Sequence, residues 1–120
     1  MTDKLDKAVE AITLKTKNNK IEWERMTGSL STQNVFYKQY ILDGGFEYDG
    51  INCYVAHFKD GYIYFNNSSS DEYKELAIQP SSKSDITVLA FGSKKLKELE
   101  NSIKNTLDNP DDFIDSLLNE

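Results

Sequence analysis

Two Asp-Gly pairs, Asp49-Gly50 and Asp60-Gly61, bracket the stretch INCYVAHFK, and a second aromatic run, YIYF, follows the later pair. Glycine supplies the positive φ that a two-residue hairpin turn requires, and β-branched and aromatic residues between such turns favour strands. This stretch therefore predicts antiparallel hairpins. With Asp60-Gly61 as the turn, Phe58 faces Ile63, His57 faces Tyr64 and Ala56 faces Phe65, and opposed residues share a side of the sheet. One side then holds Tyr54, Ala56, Phe58, Ile63 and Phe65. The other holds Cys53, Val55, His57, Tyr62 and Tyr64.

The pairing also decides how the single cysteine and the single histidine are read. Cys53 and His57 share a side, but four residues along a strand span roughly 13 Å. A thiol and its general base must lie within about 3 Å. A zinc site lacks ligands, because the chain has no other Cys or His. The expectation is a buried thiol and a partly exposed imidazole. The Tyr62 and Tyr64 side has two readings: a contact surface for a partner, since tyrosine joins apolar area to a polar tip, or a face covered by a helix. Apolar residues on both sides of the hairpin favour the cover.

Elsewhere the punctuation is clear. Residues 3–17 read as a helix capped by Thr2, with Leu5, Ala8, Val9 and Ile12 at helical spacing. A hairpin around KNNK is the competing reading. KIEWERM looks extended and TGSLSTQN looks like a loop. VFYKQYIL (35–42), rich in β-branched and aromatic residues and ending at Asp43-Gly44-Gly45, reads as a strand. Strands are also expected at 73–79, stopped by Pro80, and at 86–91. Ser93 can cap a helix over 94–107 striped by Leu96, Leu99, Ile103 and Leu107, and Asn109 can cap a short one that begins at Pro110. The sum is one α+β domain: an N-terminal helix, a four- to five-stranded antiparallel sheet and two C-terminal helices. At 120 residues it can bury roughly two-thirds of the surface that its unfolded chain exposes, without disulfide or metal.

Charge is concentrated at one end. Residues 108–120 hold five acids and no base, while the rest of the chain holds 15 acids and 14 bases. Such an end repels a phosphate backbone, and no basic stripe is present to bind one, so direct nucleic-acid binding is not expected. It attracts a basic protein surface. The N-terminus lacks the apolar run of a signal peptide, and no segment approaches the ~20 apolar residues that span a bilayer. A cytoplasmic protein is expected, monomeric or homodimeric, without membrane, metal or cofactor. Gly92-Ser93 followed by Lys94 could hold an anion at a helix N-terminus, although turn and cap explain these residues fully. Asp111 and Asp115 lie one helical turn apart, a weak cation site by themselves. Glu22 and Glu24 flank Trp23 and read as a solvated strand side. No nucleophile motif or phosphate-binding loop is found.

The order of an N-terminal helix running into KTKNNKIEWERM, aromatic hairpins, LAIQP and a closing LKELENSI and DDFIDSLL resembles a family of small bacterial proteins common on mobile elements and phage-like regions. The likeness is structural and brings no activity or catalytic residues with it. It implies an accessory gene, of the kind that often encodes inhibitors, immunity factors or regulators. The function expected is therefore a non-catalytic, acidic regulator or inhibitor of a protein partner, such as a nucleic-acid-binding defence protein. Asp111, Asp112, Asp115, Tyr62 and Tyr64 would be its contact residues. The alternative is a small-ligand or nucleotide binder with a pocket between sheet and helices near Ser93 and Lys94.

Overall fold

The computed structural model describes residues 2–26, 32–45, 53–67, 74–81, 83–107 and 110–119. Its elements are α1 (Thr2–Lys17), β1 (Trp23–Arg25), α2 (Thr32–Asp43), β2 (Cys53–Phe58), β3 (Gly61–Asn67), β4 (Lys74–Gln79), β5 (Thr87–Phe91), α3 (Ser93–Leu107) and α4 (Pro110–Leu118). The five strands form one antiparallel sheet in chain order, β1-β2-β3-β4-β5. The α+β class, the N-terminal helix and both C-terminal helices agree with the sequence.

α1 ends in a hydrogen-bonded cap rather than a hairpin. Asn19 takes the left-handed conformation (φ 58°), and the Lys20 N–H donates to the Lys15 carbonyl at 2.8 Å. The Asn19 N–H donates to the Thr16 carbonyl at 3.1 Å, which completes a Schellman ending with asparagine in place of glycine. The chain then turns into β1. There Trp23 is buried and its Nε1–H donates to Thr16 Oγ1 at 3.0 Å, while Glu22 and Glu24 stay exposed.

Residues 35–42 are not a strand. They lie in α2, where Tyr37 and Ile41, one helical turn apart, are buried and Lys38, Gln39 and Leu42 are exposed. The aromatic and β-branched composition is satisfied by burial against the sheet, which overrides local propensity. Asp43-Gly44-Gly45 ends a helix: Gly45 has φ +85° and its N–H donates to the Leu42 carbonyl at 3.0 Å. The sheet still reaches five strands because Trp23–Arg25 pairs with β2.

The β2-β3 hairpin forms in a different register. Lys59 and Asp60 make the turn, with Lys59 at φ 54°, so that Phe58 faces Gly61, His57 faces Tyr62, Val55 faces Tyr64 and Tyr54 faces Phe65. The register differs by two residues from that of an Asp60-Gly61 turn, so every side chain keeps its expected side. Glycine is required at 61 for a different reason from the expected one. A Cβ there would stand 2.2 Å from the Gln79 carbonyl oxygen. The Asp49-Gly50 turn falls outside the described residues.

The sheet separates two cores. α1 and α3 cover one side over Trp23, Tyr54, Ile63, Phe65 and Leu76, into which α3 sends Leu96, Leu99 and Ile103. α2 covers the other through Tyr37 and Ile41, which meet Met26, Cys53 and Tyr64. At about 25 cal/mol per Å² of apolar surface, each fully buried leucine or isoleucine on these faces contributes about 2 kcal/mol.

Candidate functional site

The α2 side contains the chain's most unusual buried chemistry. Tyr37 stacks flat on Tyr64, with ring centroids 4.4 Å apart and an interplanar angle of 4°, and Tyr40 and Tyr62 extend the row. Glu75, 1% exposed, accepts hydrogen bonds from the Tyr37 hydroxyl at 2.9 Å and the Tyr40 hydroxyl at 3.4 Å. Burial pushes the Glu75 carboxyl above its usual range, and the two phenols only partly oppose this. Burial, and then the nearby Glu75 charge, also push the Tyr40 hydroxyl up. Beside this network the Cys53 thiol donates to Asn66 Oδ1 at 3.6 Å. Each of these groups has a partner: the two phenols and Glu75 fasten α2 to β4, and Cys53 and Asn66 join β2 to β3.

His57 lies at the exposed end of β2 against the Tyr62 ring, at 5.1 Å. Cys53, at the buried end of the same strand, does not meet it, as strand spacing requires. Tyr64 has no exposed surface and its hydroxyl donates to Gln79 Oε1 at 2.7 Å. Its hydroxyl is pushed far up by burial, with the Tyr62 phenol adding to the effect. The tyrosine side is therefore covered, and of the two tyrosines only the half-buried Tyr62 can offer surface to a partner.

On the opposite side a deeply seated ion pair joins α3 to the sheet. Lys74 Nζ lies 2.6 Å from Glu100 Oε2, and Lys104 approaches Glu100 Oε1 at 3.0 Å. Burial alone would raise the Glu100 carboxyl, but hydrogen bonds from Lys74 and Lys104, with their charges, hold it below its ordinary value. Exposed pairs, Lys17 with Glu98 and Lys95 with Asp6, tie α1 to α3. Lys94 is exposed, and the Ser93 side chain lies outside the described residues.

Two surface features bear on binding. A cleft of about 350 Å³ opens between α1 and the Phe58–Gly61 end of the sheet, walled by Ala8, Ala11 and Ile12 and floored by Ile63, Ile78 and Leu89. Lys94 does not line it. The other feature is α4. Its Ile114, Leu117 and Leu118 are 48%, 60% and 76% exposed, and among the described residues neither core includes an α4 side chain. Asp115 is exposed beside them, while the side chains of Asp111 and Asp112, in the same helix, lie outside the described residues. Sequence reasoning located the acid of this helix but not the exposure of its apolar residues, which depends on what the body leaves uncovered.

Among the described residues no three His, Cys, Asp or Glu gather as a metal would need, and no helix is long and apolar enough to cross a membrane. Compared with protein-family models, curated proteins and solved structures, the chain matches none.

Proposed function

We propose that the protein is a non-catalytic binding protein that regulates or inhibits a protein partner through α4. The observation behind this reading is the exposure of Ile114, Leu117 and Leu118 on a helix within the most acidic stretch of the chain. An amphipathic helix with free apolar anchors is suited to a groove on another protein. Five acids and no base over residues 108–120 select a groove bordered by lysines and arginines, such as one that otherwise holds a nucleic-acid backbone. A cytoplasmic encounter is compatible with a single, buried cysteine, which can form no internal disulfide.

Capture from a host lysate tests the reading when three full-length baits are compared: the native chain, Leu117→Glu/Leu118→Glu and Asp115→Lys. A protein held by the native bait, lost from the double variant and weakened by Asp115→Lys or by added salt supports it. Equal capture by all three, with matching circular dichroism, contradicts it.

A further inference from the structure

The interface between α1 and the sheet is filled at one end and open at the other. Ala8, Ala11, Ile12 and Lys15 form one stripe of α1 facing the β2-β3 turn. Ala8 and Ala11 bring only methyl groups to that stripe, whereas α3 fills its own part of the interface with Leu96, Leu99 and Ile103. The resulting cleft of about 350 Å³ is large. An apolar void of roughly 150 Å³ already holds a benzene ring. The Gln79 side chain lies on the other, tyrosine side of the sheet, accepting from Tyr64 and donating to the Ser84 carbonyl at 3.1 Å. A ligand inside would therefore meet an apolar surface.

The rim is different. Lys15 and Lys59 both line the cleft and both are exposed. Lys17, Lys74, Lys95 and Lys104 have carboxylate partners, but among the described residues no acid pairs with Lys15 or Lys59. Lys59 is held in a left-handed turn with its Nζ 5.7 Å from the Phe58 ring, and Phe58 also lines the cleft. An apolar slot edged by two ammonium groups that no described carboxylate neutralises has the form of a small-molecule site with one polar end.

We infer that this cleft binds an amphiphilic monocarboxylate, an alkyl or arylalkyl acid. Its hydrocarbon lies between α1 and the Ile63, Ile78 and Leu89 floor, and its carboxylate lies at Lys15 and Lys59. The site is independent of α4. Octanoate and octan-1-ol titrated into the full chain, read by amide chemical shifts and calorimetry, test it. Both ligands shift Ala11, Ile63 and Leu89. Octanoate binds about tenfold tighter than the alcohol, since two exposed ion pairs together give about that factor. Lys15→Gln/Lys59→Gln removes the preference while the alcohol binds as before. Ala11→Leu, which fills the slot and keeps a good helix former, abolishes both. The inference is overturned if neither ligand shifts these residues, if the alcohol binds as tightly as the acid, or if Ala11→Leu leaves binding intact. It is also overturned by a dimer in light scattering that occupies the cleft and resists octanoate.

Discussion

Helices α3 and α4 follow one another with residues 108 and 109 between them, and both separate apolar from polar residues equally well. In α3 the apolar stripe of Leu96, Leu99 and Ile103 is wholly buried. In α4 the apolar residues Ile114, Leu117 and Leu118 stand in solvent. The difference shows that an amphipathic pattern states a need for a covering surface without naming it. α3 finds that surface on the sheet and adds Lys74 and Glu100 as a polar tie. α4, nine residues long, is shorter than the ~12–15 residues that hold a helix in water unaided. Its helix is therefore completed by whatever covers it.

The largest effect expected from this contrast is in the apolar residues themselves. Leu99→Ala should cost about 3 kcal/mol in urea unfolding, within the range for a buried leucine, whereas Leu117→Ala should cost less than about 0.5 kcal/mol. Similar costs would mean that α4 belongs to the core. The polar tie comes next. Glu100→Ala leaves Lys74 without its carboxylate in a largely buried position and should cost about 3 kcal/mol, much of it recovered by pairing Lys74→Met with Glu100→Leu. No substitution at Asp115 should approach that.

Glu75 and Glu100, both buried in the body, sharpen the contrast through pH, because their shifts have opposite signs. Glu100 lies below its ordinary 4.5, so its contribution is full above that pH and is lost as pH falls through its folded value. Glu75 lies above 4.5, so the stability linked to it is full below that pH and is lost as pH rises through its folded value. Urea midpoints from about pH 4 to about pH 8 should therefore decline with rising pH, and Glu75→Gln should flatten that decline. The smallest effect is again in α4: Asp115→Asn should change unfolding stability by less than about 0.5 kcal/mol.

Much of this fold could be read from residue patterns. The Leu96, Leu99 and Ile103 stripe, Pro110 at a helix start and the alternation through Tyr54–Phe65 all predicted elements that are present. The hairpin's faces survived a two-residue difference in register because strand side chains repeat with that same period. Residues 35–42 were misread because their aromatic composition outweighed the helical spacing of Tyr37, Tyr40 and Ile41, whose burial depends on a sheet assembled from later residues. Glu75 had no local signal at all. Its partners Tyr37 and Tyr40 lie 38 and 35 residues away. The cleft was equally hidden, since Ala8 and Ala11 become a void only when the β2-β3 turn comes beneath them. The acidic end was plain in the sequence; cover of the tyrosine side was the favoured of two readings, yet Tyr64, expected also as a contact residue, is wholly buried. The exposure of Leu117 and Leu118 follows only from seeing where α3 stops.

Amide hydrogen exchange on the free, full-length protein tests the central claim most directly. The account predicts that the amides of α3 exchange only through global unfolding, while those of α4 exchange close to the rate of an open chain. Protection in α4 equal to that in α3 would show that its apolar residues are already covered by the body. It would contradict the assignment of α4 to a partner.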